Sequence, residues 1–306
     1  MSSESFVSNI GVYNTMCKNI CIVMSTYNGE KYLSTQLDSI LQQENVNLIV
    51  YIRDDGSSDN TPVILREYAA KYNNISISLE ENIGFRKSFL KALRDAPECD
   101  YYGFSDQDDY WYPNKLEKTI ELLCKKNASL AFGNAIVTNE VLDENGLLYL
   151  EKKLAYFPIS LTSSNAHGFL FCFEKRIRDL AVRFPVEKFT VPHDFWIITI
   201  SDLFGKTVND LDMVVAKHRR LPNSISRKKP FDLFLKRLKA FLFGKGIVEF
   251  YSREVLDLYN NELSDEKKKL VYSCAYYKVD MKEKMRLLKN NRIKFKYKIK
   301  VLLNRL

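Results

Sequence analysis

An α/β fold with a mostly parallel sheet and helices on both faces is predicted by three observations. Short apolar runs of strand length alternate with stretches whose apolar residues fall at helical spacing, and this alternation is the pattern of a parallel sheet joined by crossover helices. Polar, glycine-containing clusters follow the strand-like runs, at the carboxyl ends where such sheets bind ligands. The chain has 306 residues, 46% of them apolar and 13% aromatic, enough to bury a full core.

The first strand is Ile20-Cys21-Ile22-Val23-Met24, closed by Ser25-Thr26-Tyr27-Asn28-Gly29. Leu33, Leu37, Ile40 and Leu41 then mark a helix. Leu48 to Ile52 repeats the strand signal, and Asp54-Asp55-Gly56-Ser57-Ser58-Asp59 breaks it. Thr61-Pro62 opens a second helix that runs through about Lys71, proline being favoured in a helix's first turn. Ile75 to Leu79 alternates as a third strand, Asn82-Ile83-Gly84 leads into a helix carrying Phe89, Leu90 and Leu93, and Tyr101 to Phe104 forms a fourth strand. The expected order is β-α-β-α-β-α-β.

Charge is distributed unevenly. From Arg227 to the end there are 22 Lys/Arg and 9 Asp/Glu, or +13, so residues 1–226 carry 8 − 13 = −5. Three units follow: an extension over 1–18, an α/β domain over 19–226, and a basic helical extension over 227–306. The six cysteines lack metal-ligand pairing and read as reduced thiols of a cytoplasmic protein. The first nineteen residues lack the apolar core of a secretory signal, and no stretch reaches the roughly 20 apolar residues that span a bilayer.

Three carboxylates, Asp106, Asp108 and Asp109, fall within Ser105-Asp106-Gln107-Asp108-Asp109, directly after the fourth strand. Like charges this close need a compensating cation or solvent. In an extended segment Asp106 and Asp108 share one side and reach one divalent ion, Mn2+ or Mg2+, which takes one or two carboxylates and completes its shell with water and phosphate oxygens. Asp54 and Asp55 fit a plain turn; at a strand's carboxyl end they equally fit acceptance of a uracil or thymine imide N–H, with Tyr27 stacked on the ring. Topology brings these clusters and Ser25 to Asn28 to one crevice.

These residues together resemble the family 2 glycosyltransferases, inverting enzymes with the GT-A (nucleotide-diphospho-sugar transferase) fold, in a rhamnosyltransferase-like branch. The resemblance rests on Val23 to Gly29, Arg53 to Thr61, Asn82-Ile83-Gly84 and Ser105 to Leu116, and covers about residues 19–226. It implies nucleotide contacts at Ser25, Thr26, Tyr27, Asp54, Asp55 and Asp106. It also implies metal binding at Asp108 with Asp106 in support, and a donor that is a UDP- or dTDP-sugar of rhamnose, galactose or glucose type. Asp109 is left to shape the turn before Trp111.

The place where the family carries its catalytic base holds Asp194, in Val191-Pro192-His193-Asp194-Phe195-Trp196. A helix N-cap is the other role that suits this aspartate, and the two are compatible. His193 is expected to orient it. His218 and Arg219 fit a loop that neutralises the leaving phosphates or a plain surface loop, and the spacing of His218 to Asn223 departs from the family's. His167-Gly168 resembles the acceptor-facing segment, with backbone packing the other role for Gly168.

Phe234, Leu235, Leu238, Phe241 and Leu242 recur at helical spacing beside Lys228, Lys229, Lys236, Arg237 and Lys239, and residues 282–306 hold ten Lys/Arg and one Glu. Such helices pack on the domain or lie on an anionic inner leaflet, where a lipid-linked or glycan acceptor is found. The protein is therefore expected to sit at the inner face of the cytoplasmic membrane, and the family resemblance implies a place in bacterial surface polysaccharide synthesis. Two other functions fit parts of the chain. Nucleic-acid binding explains the tail but not the acidic crevice, since a −5 body repels phosphate backbones. A non-catalytic sugar-nucleotide-binding module differs only in Asp194 or Asp108 being idle.

Overall fold

A computed structural model describes residues 18–150, 157, 160, 166–221, 247–291, 293 and 295–304. The expectations for residues 1–17, for Asn223 and for the aromatic and basic segment from Lys228 to Leu242 lie outside the described residues.

The predicted order is present: β1 (Asn19–Thr26), α1 (Leu33–Leu41), β2 (Asn47–Asp55), α2 (Thr61–Lys71), β3 (Ile75–Glu80), α3 (Phe85–Asp95) and β4 (Tyr101–Ser105). The central strands read as unbroken apolar runs because both faces are covered: every residue from Ile20 to Met24 is buried. Next come β5 (Tyr110–Trp111), α4 (Lys115–Lys125), β6 (Leu130–Thr138), β7 (Glu144–Leu147) and β8 (Phe171–Glu174). Helix α5 (Lys175–Ala181), α6 (His193–Phe204) and β9 (Thr207–Arg219) complete the body.

Among the described residues, the strands form one sheet in the order β3-β2-β1-β4-β8-β6-β9-β5, with β7 added to β6. From β3 to β4 all pairings are parallel. Beyond β4 the sheet is mixed: β8 runs antiparallel to β4 and β6, β9 parallel to β6, and β5 antiparallel to β9. Register brings the carboxyl ends into line, with Thr26 opposite Asp54 and Met24 opposite Ser105. The return strand β9 then carries Lys217 back beside Tyr110, which sets His218 and Arg219 against the acidic loop.

Among the described residues four helices follow: α7 (Ile247–Tyr259), α8 (Asp265–Tyr276), α9 (Met281–Lys289) and α10 (Phe295–Leu302). The first is anchored on the body. Tyr251 Oη accepts hydrogen bonds from the Thr190 and Val191 amides at 2.7 and 3.1 Å, its ring stacks on Phe184 at 5.0 Å, and Tyr259 donates to the Leu180 carbonyl at 2.6 Å. The hydrophobic core runs without a break from β1 through Val248, Val255 and Val271 to Val301. Of the two expected fates of the basic extension, α7 takes the first and packs its apolar face on the domain. No described helix is long and apolar enough to cross a membrane. Cys21, Cys99, Cys124, Cys172 and Cys274 are free thiols.

Candidate active site

The crevice is built from loops stitched to one another. Asn28 adopts φ +47°, a conformation asparagine tolerates, so its amide donates to Ser57 Oγ at 2.9 Å while its own Oδ1 accepts from the Ser58 amide. Gly29 donates to Thr61 Oγ1 at 2.8 Å, and Glu30 and Asp59 exchange bonds with the facing loop. The loop after β1 is joined to the acidic loop by Gln107. Its side-chain amide accepts from Tyr27 N at 2.8 Å and donates to Tyr27 O at 3.1 Å, closing both backbone groups at once. A Cβ on Gly29 would stand 2.5 Å from Gln107 Oε1, so only glycine admits this clamp.

The acidic segment is not extended. It bends between β4 and β5, so the alternation that was to set Asp106 and Asp108 on one side does not apply; the bend itself crowds the carboxylates. Burial raises the Asp106 carboxyl well above the usual range, and the charges of Asp109, Asp108 and Asp194 add to this against an opposing His218. Burial, with Asp109 next, pushes Asp108 up to about 6. The chain thus holds these groups where ionising all of them is unfavourable unless a cation enters.

Asp109 carries more than a turn. It is fully buried, and its Oδ1 accepts from His218 Nδ1 at 2.9 Å and from the Arg219 amide at 3.0 Å, while Oδ2 has no partner among the described residues. His218 is held above its ordinary pKa: burial acts to lower it and is outweighed by the bond to Asp109 and by the charges of Asp109, Asp106 and Asp108. The Arg219 guanidinium is nearly buried, lies over the Tyr32 ring at 4.5 Å, and donates to the main-chain carbonyls of Asp108 (2.8 Å) and Glu140. Its described bonds fasten the acidic loop to β9.

The two carboxylates expected to read the base, Asp54 and Asp55, are buried and already bonded. Asp54 accepts from Thr26 Oγ1 at 2.8 Å and from Ser57 N and Oγ at 2.8 and 2.6 Å. Asp55 accepts from the buried Arg53 at 2.5 Å and from the amides of Ile83 and Gly84, both at 2.9 Å, which explains the Asn82-Ile83-Gly84 signal as the partner of this carboxylate. Ser25 Oγ lies 2.5 Å from Ser88 Oγ on α3. Tyr27, half exposed, is the open ring at the mouth.

Asp194 stands in the first turn of α6, after Pro192 at the N-cap position, and so is not itself the N-cap. Burial pushes its carboxyl up to about 7, opposed by the bond it accepts from the Phe195 amide at 2.8 Å. Its charge acts on both Asp106 and Tyr149, so it faces the same crevice. His193 does not orient it. Among the described residues both ring nitrogens lack partners, the ring stacks on Phe89 at 3.8 Å and meets Phe104 edge-on at 4.5 Å, and burial holds it down at about 3, neutral. Gly168 makes room for it: a Cβ there would lie 2.5 Å from His193 Nε2 and 3.4 Å from Asp194 Cβ.

His167 meets Tyr149 Oη through Nδ1 at 2.7 Å and is lowered to about 4 by burial and then by the charge of His218. With His218, Thr138, Asn145 and Arg220 it lines a cavity of about 530 Å3 beside the acidic loop. Sequence reasoning missed Gln107, Tyr149 and the Asp109–His218 pair. Of these, Gln107, Asp109 and His218 lay inside stretches already singled out, without their partners, and Tyr149 did not.

Solved structures of similar fold include TarS residues 1–349 from S. aureus, 19% identical with a TM-score of 0.56 over 94% of this chain and 78% of that one. The same protein has been solved with UDP-GlcNAc, at 17% identity and a TM-score of 0.56. Among sequence relatives, the dTDP-rhamnosyl transferase RfbG of Shigella flexneri is 39% identical over 118 residues, 37% of this chain and 41% of that protein. The putative teichuronic acid biosynthesis glycosyltransferase TuaG of Bacillus subtilis is 26% identical over 69% of this chain and 82% of that protein. WfgD of Escherichia coli, a UDP-Glc:α-D-GlcNAc-diphosphoundecaprenol β-1,3-glucosyltransferase, is 32% identical over 39% of this chain and 47% of that one. The match thus spans less than half of RfbG and of WfgD. The family model for glycosyl transferase family 2 matches residues 21–180, more than half of the chain. With its strand order, its stitched motif loops and its GT-A architecture, the chain belongs to glycosyl transferase family 2 and is a glycosyltransferase.

Proposed function

We propose that this glycosyltransferase is metal-dependent and inverting, moving a sugar from a UDP- or dTDP-sugar to a lipid-linked or glycan acceptor in bacterial surface polysaccharide synthesis. The observation that carries the reading is a raised carboxyl at Asp194 facing a bent acidic loop whose groups repel one another. A carboxylate titrating near neutrality matches the strength a general base needs at physiological pH. The name of RfbG supports a dTDP-sugar of rhamnose type, and the TarS complexes and WfgD support UDP-linked sugars of glucose class.

The residues fit a divalent ion. Asp106 and Asp108 are hard oxygen donors whose ionisation a cation would favour, and the second oxygen of Asp109 is buried without a described partner. Among the described residues no three groups form a ready-made cage. The site suits Mn2+ or Mg2+ bound through Asp108 with Asp106 in support, the substrate supplying other ligands. Bound there, the ion would neutralise charge on the donor's diphosphate.

The remaining steps belong to the chain. Tyr27 stacks on the base while Asp54 and Asp55 hold the loops that form its pocket. Ser25 and Thr26 line the same strand end. Asp194 takes the proton from the acceptor hydroxyl as that oxygen attacks the anomeric carbon and the nucleoside diphosphate departs, inverting the centre. The cavity bounded by His167 and His218 receives the acceptor, and His218 holds Asp109 through their hydrogen bond. A lipid-linked acceptor places the protein on the inner face of the membrane.

The test is release of UDP or dTDP from nucleotide sugars with membrane extract as acceptor, with and without Mn2+. Intact protein is expected to release nucleotide only with the metal, and Asp108→Asn to weaken metal-dependent nucleotide binding about tenfold or more. Turnover unchanged by chelation, or nucleotide affinity unchanged in Asp108→Asn, would refute the metal reading.

A further inference from the structure

The last two helices carry a surface that sugar transfer leaves unused. Helix α9 buries Glu283 and Leu287 and turns Met281, Lys282, Met285, Arg286 and Lys289 outward, the spacing of one helical face. Met281 is 69% and Met285 43% exposed, and α10 adds Phe295 at 77%, with Leu302 and Leu303 beyond. Exposed apolar side chains grouped in this way mark an interaction surface.

The charges around them have one sign. Residues 278–304 hold ten Lys/Arg and two acids. Both acids are occupied: Asp280 caps α9 by accepting from the Lys282 and Glu283 amides, and Glu283 is buried, bonded to Ser273 Oγ at 2.6 Å and to Arg286. The ammonium groups of Lys282 and Lys289 have no acidic partner among the described residues. With Met285, Arg286 and Asn290 they line a hollow of about 520 Å3.

We propose that this hollow binds the headgroups of anionic phospholipids, while Met281, Met285 and Phe295 enter the interface beside it. Basic groups near an anionic leaflet attract it additively, and unbranched thioethers adapt to an irregular apolar surface. A nucleic acid would instead need several open aromatic faces between the cations, and of the described rings of α10 Phe295 is open while Tyr297 is buried. The proposal extends the lipid-linked acceptor reading by naming a contact surface, and it stands or falls without turnover.

Co-sedimentation of the full chain with vesicles tests it. Vesicles of phosphatidylcholine with phosphatidylglycerol are expected to bind the protein, and phosphatidylcholine alone is not. Binding should weaken steeply with added salt. The double variant Lys282→Gln/Lys289→Gln should lower the bound fraction at least about tenfold, each cation contributing roughly a factor of five. Met281→Ser/Met285→Ser should also lower it and reduce the salt-resistant part. Equal thermal midpoints and equal UDP release from donor keep folding and transfer separate from binding. Full retention by Lys282→Gln/Lys289→Gln assigns binding elsewhere and overturns the proposal, as does equal binding to neutral vesicles. Abolition by millimolar inorganic phosphate overturns it in favour of a free-anion site. Loss of sugar transfer with vesicle binding intact would strike the enzymatic reading alone.

Discussion

Asp194, His193 and Gly168 are packed together, and their roles separate by charge. A carboxyl raised to about 7 is active as a base only when deprotonated, so transfer should rise with pH through that value. Asp194→Asn should abolish this limb and cost about 10²–10⁴-fold in kcat with donor affinity retained; a lost donor affinity with kcat preserved would remove Asp194 from the chemistry. Linkage runs in the opposite direction to activity. Because the folded value lies above the unfolded one, Asp194 favours the folded state at low pH, and this is lost as pH rises through about 7. His193→Phe removes two unpartnered buried nitrogens from an aromatic cluster, so the thermal midpoint should hold or rise and the acid limb should remain. A limb that vanished in His193→Phe would make the histidine the base. Gly168→Ala drives a methyl into the imidazole and should destabilise by about 1–3 kcal/mol, measured by denaturant titration.

The loops depend on clamps between elements. Gln107 satisfies both backbone groups of Tyr27 from the middle of the acidic segment, so the ring at the mouth and the carboxylates proposed to bind metal share one support. Gln107→Ala should lose about 1–2 kcal/mol of stability for the two hydrogen bonds. It should also weaken UDP binding with and without Mn2+. Nucleotide affinity that fell only in the presence of metal would show that the clamp serves the carboxylates alone. The β9 return has a similar function: Arg219 fastens Asp108 and Glu140 by their carbonyls, and His218 fastens Asp109.

Across the molecule, one core joins the sheet to the C-terminal helices, and Tyr251 holds the Thr190–Val191 backbone three residues before Asp194. Thermal unfolding should therefore be a single transition by near-UV and far-UV circular dichroism together. Tyr251→Phe should lower its midpoint and reduce kcat with the donor KM unchanged, because it frees two amides in the approach to Asp194. Two resolved transitions would show that the C-terminal helices fold as a separate unit.

The strand and helix order from β1 to β4 was legible in the chain because it follows from local pattern: period-two and unbroken apolar runs, Thr61-Pro62 at a helix start, and polar clusters at strand ends. So was the meeting of three clusters in one crevice, since parallel topology alone sends those ends to one side. What a linear chain does not carry is which partner a polar group takes. Asp109 looked like a turn residue until β9 brought His218 back beside it, Asp106 and Asp108 looked coplanar until the loop bent, and His193 looked like a helper until Phe89 and Phe104 closed around it. Secondary structure is set by contacts within a few residues; burial, pairing and therefore proton affinity are set by contacts about a hundred residues apart, which exist only once the sheet has closed.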